Sequence, residues 1–539
     1  MRFFGETKLE KISRIGFIIA LIIFIAAVGS LLYPKLFLQK GEEEGVIGES
    51  MSTELADVMS NYPDNIILNA GLNDITIYDA DDNPVKLGEF KGKNVILIFW
   101  ASWCKYCREE LNSLQKYKNL LDKYGDVEIV LVDKLDGEKE SKQQAIDYLK
   151  NNNIPYNTFF DKNLAAYKQL GIKIVPTVLG VNCNGILKFC NPGNLKDSNE
   201  LEAYIDYLKY GASYSTELFI TDHLTNTEGG VRVNFKDTGI QESPSGNDVI
   251  SESQGIMMEY ALLKKDKPLF DKYFGYVKQH MLSNTELASW LIADGDVSSS
   301  NSLVDDLRIY KCLWKANELW GSYDDMLKFW KKNIYLYNIQ NNHLVDSYDF
   351  KKQYKSNRLT LCFADFKSLK LLSDRDTDYE SVYNNALETV EDGYISDDFP
   401  FYHSWYNYKK KEYEESGLNM AEAVYLILNL AEAGKQKESS INWLKDKVAS
   451  GGIKARYSTN GEVVKGYNYE STAIYAMVAM IGKEIGDAKM TSDALARMER
   501  LRVNDKNSLL NGSFGTNNGD DIYSFDQCMA LLAYASSEE

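Results

Sequence analysis

Cys104 and Cys107 stand three residues apart in Trp103-Cys104-Lys105-Tyr106-Cys107, directly behind the apolar run Asn94-Val95-Ile96-Leu97-Ile98-Phe99-Trp100. A strand that ends in a C-x-x-C helix start puts one sulfur at the helix N-terminus. Unpaired amides and the helix dipole there favour the thiolate, which is the reactive form. The second sulfur lies one turn on, close enough to close a small, easily reduced ring, so the spacing points to thiol–disulfide exchange. The rival chemistry for such a pair, zinc binding, needs further Cys or His at ligand spacing. All four His lie beyond residue 222. No metal and no cofactor is expected. A second group of interest, Ser251-Glu252-Ser253-Gln254-Gly255, opens a helical pattern far downstream. A carboxyl in a first helical turn is favoured by the dipole alone.

These groups belong to a chain of 539 residues and net charge −18. That length predicts two or three domains, and the acidic balance excludes nucleic acid as the main partner. Ile15 to Tyr33 is apolar throughout, with Arg2, Lys8, Lys11 and Arg14 before it. The stretch approaches the roughly 20 residues that span a bilayer, and the basic tail sets the N-terminus inside. The expected order is a cytoplasmic tail (1–14), a transmembrane anchor (15–33), an acidic linker (34–64) and an extracytoplasmic bulk. A cleaved signal peptide with a small-x-small site at Ala27-Val28-Gly29 is the alternative; both readings export the protein. Cys183 and Cys190 flank the turn Asn184-Gly185 and are candidates for a bridge, whereas Cys312, Cys362 and Cys528 fall in apolar helical patterns and read as buried small hydrophobes.

Between 65 and 210 strands alternate with helices. Strands are predicted at Ile75–Tyr78, Val85–Leu87, Val95–Trp100, Val127–Val132, Thr158–Phe160, Val178–Val181 and Ile186–Phe189, which makes an α/β unit. The segment Phe90 to Cys104, with Val175-Pro176-Thr177 further on, resembles the thioredoxin fold, in particular its membrane-tethered extracytoplasmic branch of thiol–disulfide oxidoreductases. The resemblance implies that Cys104 attacks, that Cys107 resolves, and that Pro176 is the cis-proline shaping the client groove. It also implies a disulfide-bearing client protein and a transmembrane electron donor. Lys105-Tyr106 between the cysteines departs from the family's usual Pro, which leaves the redox direction open.

From 213 to 539 the period turns helical, with candidate helices near 213–225, 251–263, 268–281, 302–317, 322–337, 358–372, 379–391, 418–433, 437–449, 470–485, 490–502 and 524–535. A dozen helices in this length suggests an all-α toroid. Ser251–Gly255, then Asn301-Ser302-Leu303-Val304-Asp305-Asp306-Leu307 and, more loosely, Leu418-Asn419-Met420, Tyr469-Glu470-Ser471 and Tyr523-Ser524-Phe525-Asp526-Gln527 resemble glycoside hydrolase family 8. That resemblance implies an (α/α)6 barrel acting on a β-linked polysaccharide with inversion. On it, Glu252 falls on the general acid and Asp306 on the sugar-contacting aspartate, with Gln254 in the substrate-binding motif. Two changes stand out: Ile256-Met257-Met258 follows the acid where Tyr-Gly-Met is usual, and Val304 replaces an aspartate. Inversion needs a second carboxyl about 6.5–9.5 Å from the first. Glu415 and its neighbour Glu414 sit at a suitable sequence distance, with Asp365 and Glu470 as further choices. Trp405 and Tyr406, in a stretch read as a loop after Pro400, are candidates for stacking on sugar rings.

The expectation is therefore a multi-domain, membrane-anchored protein: an α/β thioredoxin-like domain (65–210), then an (α/α)6 glycoside-hydrolase-like domain (213–539). It would join thiol–disulfide exchange to polysaccharide hydrolysis. The alternative is a disulfide reductase whose helical domain binds a glycan or client without catalysis.

Overall fold

A computed structural model describes residues 58–237, 244–282, 285–374, 376–516 and 518–538. The predicted anchor at 15–33, its tail and most of the linker lie outside them. Among the described residues no helix is long and apolar enough to cross a membrane.

The first domain is built on a seven-stranded sheet. Its strands are β1 (Thr76–Tyr78), β2 (Pro84–Lys86), β3 (Asn94–Trp100), β4 (Val127–Asp133), β5 (Asn157–Phe160), β6 (Thr177–Val181) and β7 (Leu187–Pro192), in the order β2-β1-β5-β4-β3-β6-β7. β3 and β4 run parallel, as do β4 and β5; β6 and β7 are antiparallel neighbours. β3 is buried along its whole length, as its unbroken apolar run requires of a central strand covered on both faces. Ile96, Ile98 and Trp100 pack towards helix α1 (Lys105–Lys116), while Leu97 and Phe99 pack on the opposite face with Ile77 and Leu170. Helices α2 (Lys118–Lys123), α3 (Lys142–Asn151), α4 (Ala165–Leu170) and α5 (Ser198–Tyr210) complete the unit. Cys183 is exposed at the turn and Cys190 is buried in β7; both are free thiols, so the structure contains no bridge between them.

The second domain is a closed double ring. Helices α7 (Ser251–Leu263), α9 (Leu303–Trp320), α11 (Phe366–Ser373), α13 (Met420–Glu432), α15 (Thr472–Glu484) and α17 (Ser524–Glu538) each pack on the next, and α17 packs on α7 to close the circle. Helices α6 (Tyr214–Phe219), α8 (Lys267–Tyr276), α10 (Asp324–Asn338), α12 (Thr377–Asp392), α14 (Glu438–Ala449) and α16 (Ala488–Glu499) alternate with them on the outside. The sequence distinguishes the two sets. α7 is buried continuously from Ser251 to Met258, as a helix surrounded by neighbours must be, whereas α10 buries only the stripe Trp330, Asn333, Ile334 and Asn338. Two predicted elements changed. The helix expected from 358 starts only at Phe366, capped by the Asp365 side chain. Arg358–Thr360 instead pairs as a strand with Trp405–Asn407, which is therefore not a loop.

The domains share packing. Arg500, just past α16, donates to the Asn191 side chain (2.5 Å) and the Cys190 carbonyl (2.9 Å) of β7. Arg502, with its side chain 1% exposed, bonds the Ala212 carbonyl (2.9 Å), Ser215 Oγ (2.8 Å) and Thr216 Oγ1 (3.1 Å), and pairs with Glu499 at 3.0 Å. These partners make Arg502 the pin of the segment joining the domains. Removing one member of a buried ion pair strands the other, so Arg502→Met is expected to lower stability by about 3–5 kcal/mol in urea unfolding. A loss under about 1 kcal/mol would contradict this assignment.

Candidate active sites

In the first domain Cys104 is the N-cap of α1. Its sulfur accepts the Cys107 backbone N–H at 3.3 Å, and its thiol donates to the Val175 carbonyl at 3.3 Å. The Val175–Pro176 peptide is cis, so Pro176 stands beside the sulfur in the chain segment that faces it. Cys104 is 7% exposed and Cys107 not at all. Burial, and the neighbouring Cys104 sulfur after it, pushes the Cys107 thiol well up. Cys104 is thus the sulfur that solvent and partners reach. Trp103 and Tyr106 flank it as exposed aromatics. The turn before the pair is held from beneath: Glu140, 1% exposed, accepts the Ser102 N–H and hydroxyl, each at 2.8 Å.

Two further acids lie inside this domain. Glu110, one turn beyond Cys107, accepts the Leu195 N–H at 2.9 Å through one oxygen, while the other has no partner; burial and then the nearby Glu200 raise it to about 7. Asp133, at the end of β4 beside Trp100, is wholly buried with neither oxygen bonded. Burial first, then the Glu140 charge, raises it to about 8.

In the ring, Glu252 lies in the first turn of α7 and is 1% exposed, and neither carboxyl oxygen has a hydrogen-bond partner among the described residues. Burial, then the Asp305 charge, pushes its pKa far up; Arg308 opposes. Asp305 in α9 accepts the Ser251 hydroxyl at 2.6 Å through one oxygen and leaves the other free. Arg308, one turn on, crosses the interior to donate to Tyr425 of α13 at 2.5 Å. It passes so near α7 that a Cβ on Gly255 would lie 3.0 Å from its Cδ. Gly costs about 1 kcal/mol in a helix interior, and this close approach is the reason for it here.

The other predicted residues fall elsewhere. Asp306 is turned away from Glu252: it accepts the Ala288 N–H (3.1 Å), Trp330 Nε1–H (3.1 Å) and Asn301 Nδ2–H (2.8 Å). Gln254, with its amide oriented to suit both partners, donates to the Gly229 carbonyl (3.1 Å) and accepts from Val231 N–H (2.6 Å). Glu415 is exposed in the segment between Tyr413 and Leu418. Asp365 caps α11 and faces Lys311, and Glu470 is clamped by Arg497 and Lys454. Trp405 is half-buried with the Arg358 guanidinium over its ring at 5.3 Å, whereas Tyr406 packs on Tyr413 at 4.7 Å. Asp305 and Arg308 were the missed signal: their i,i+3 spacing marks one face of α9, and Asp306 belongs to another.

A dithiol at a helix start beside a cis-proline and a ring with a buried, unpaired glutamate define a thioredoxin-like domain joined to a helical domain of glycosidase architecture. The AhpC/TSA family model matches residues 69–190. Thiol-disulfide oxidoreductase ResA of Bacillus thuringiensis is 26% identical over 31% of this chain and 81% of its own. Putative lipoprotein YdaJ of Bacillus subtilis is 27% identical over 59% of this chain and 85% of its own. Among solved structures, a novel alpha-amylase from Clostridium perfringens is 33% identical, covers 60% of this chain and 97% of its own, and superposes with a TM-score of 0.57. Through its helical domain the chain belongs to the family of that protein.

Two predictions follow from this geometry. Cys107→Ser, which leaves the attacking sulfur without its resolver, is expected to accumulate mixed disulfides through Cys104 on a non-reducing gel, and Cys104→Ser none; trapping by Cys104→Ser alone would reverse the assignment. Because the Asp133 pKa is raised in the fold, its stabilising neutral form is complete below its unfolded value and lost as pH rises through about 8. Asp133→Asn is therefore expected to gain stability over the natural protein at pH 9, on the order of a few kcal/mol, and little at pH 5. Equal differences at both pH values would contradict a buried, strained carboxyl.

Proposed function

We propose that the protein is an extracytoplasmic enzyme of two chemistries, held at the membrane by the apolar segment 15–33. In the first domain the Cys104 thiolate attacks a client disulfide. The client S–S bond breaks, a Cys104–client bond forms, and the departing sulfur takes a proton. Cys107 then attacks Cys104, releasing the client dithiol and leaving the Cys104–Cys107 disulfide, so two electrons pass to the client. A transmembrane dithiol donor restores the pair, and Pro176 shapes the client groove.

In the helical domain Glu252 gives its proton to the leaving glycosidic oxygen as the bond to the anomeric carbon breaks. Water adds from the opposite face, giving the inverted hemiacetal, and its proton goes to a second carboxyl. One observation carries this reading: Glu252 is a glutamate inside a ring, unbonded, with the Asp305 carboxyl beside it. Such a group holds its proton at neutral pH, as an acid catalyst must. The substrate is a β-linked extracellular polysaccharide. A second reading, an α-linked glucan, is favoured by the 33% identical alpha-amylase. The non-catalytic alternative is favoured by Asp306, which is fully buried against Ala288, Trp330 and Asn301.

Reducing-end release by the full-length protein from β-1,4-glucans, xylan, chitosan, starch and the host's exopolysaccharide separates these. Glu252→Gln is expected to lower kcat by about 10²–10⁴-fold on whichever glycan is cut. Full activity in that variant would remove Glu252 as the acid, and binding without cleavage by the natural protein would leave the dithiol as the protein's one chemistry.

A further inference from the structure

Water activation opposite Glu252 needs a second carboxyl that is free, reaches the ring's interior and lies at the same end. Two acids act on Glu252 by charge: Asp305, on the adjacent helix and already bonded to Ser251, and Asp526, which accepts from the Ser471 hydroxyl and Ala473 N–H, each at 2.8 Å. Glu422 differs from both. It lies in the first turn of α13 and is half-buried. Its nearest charges are Arg358, Arg456 and Asp346.

Ring order places α13 three positions from α7 in either direction, so the two helices face one another across the circle, N-terminus to the same end. With neighbouring axes about 8–10 Å apart, opposite axes stand about 16–20 Å apart. Subtracting two helix radii of about 5–6 Å, side chains included, leaves a gap of about 4–10 Å. That brackets the about 6.5–9.5 Å that inversion requires. Orientation comes from Tyr425, which shares the face of Glu422 at i,i+3 and receives the Arg308 guanidinium that runs past Glu252. The buried Cys362 feels the charges of both Glu422 and Glu252. Arg358, over the Trp405 ring, continues the same wall.

We propose that Glu422 is the general base, taking the proton of the water that attacks the anomeric carbon while Glu252 protonates the leaving oxygen. This rests on the hydrolase reading above. Burial raises Glu422 to about 7, so it ionises, and becomes active, as pH rises through neutrality.

The test uses the full-length protein on the glycan it cuts. Glu422→Gln, isosteric and expected to melt with the natural protein, should lose about 10²–10⁴-fold in kcat and lose the acid limb of the pH–rate profile near 7. An aryl glycoside with a nitrophenolate leaving group needs no acid, so it should restore Glu252→Gln but not Glu422→Gln. Azide should restore Glu422→Ala with a glycosyl azide of inverted configuration. Near-full activity of Glu422→Gln while Glu252→Gln is dead would overturn the base and spare the acid. Full activity of Glu252→Gln would remove the acid with which this role is paired, and no cleavage by the natural protein would overturn the hydrolase reading and this role with it.

Discussion

Closing six helices into a ring takes the first turn of α7 out of water, and Glu252 goes with it. An ionised carboxylate without partners is costly in such a place, several kcal/mol even after relaxation, so the group keeps its proton. The surroundings reinforce that state. Asp305 adds a second negative charge beside it, and the Arg308 side chain, drawn off towards Tyr425 and Glu259, offsets only part of this. Gly255 leaves the room in which Arg308 passes, since a Cβ there would lie 3.0 Å from its Cδ. The packing that stabilises the toroid and the chemistry assigned to it are therefore one arrangement: loosening the ring would hydrate Glu252 and return it to an ordinary, ionised glutamate.

The thioredoxin-like domain uses burial in the same way and divides it between two sulfurs. Cys104 sits at the edge, between exposed Trp103 and the Val175 carbonyl, while Cys107 is enclosed against Leu111. That asymmetry is what the proposed division into attacking and resolving thiol rests on. The sheet that carries them is braced by the toroid, since Arg500 and Arg502 lie at the end of α16 and grip β7 and the segment after α5. The two domains thus form a joined body with their sites on separate elements.

Much of this was legible in the sequence. The dithiol, the cis-proline, the strands of the first domain and nearly every helix of the second follow from periodicity and from two resemblances, because long runs with one dominant period leave few alternatives. What sequence could not resolve was phase and closure. Asp305 and Asp306 are adjacent, yet a helix turns about 100° per residue, and the contacts of Trp330 and Asn301 decide that Asp306 faces outward. Glu422 looks like any acidic residue in a first helical turn; only the ring's closure sets α13 against α7. Glu415, chosen for its distance along the chain, is left on the surface. Asp133 ends an apolar strand and reads as its polar boundary, whereas helices on that face of the sheet bury it completely.

The central claim is that the ring holds Glu252 protonated. Infrared difference spectroscopy of the full-length protein, comparing it with Glu252→Gln across pH, reads this directly. A protonated-carboxyl band present at pH 7 in the natural protein and absent from the variant is the predicted result. A site carrying only the ionised-carboxylate band at pH 7, titrating at an ordinary glutamate value of about 4.3, would contradict the account.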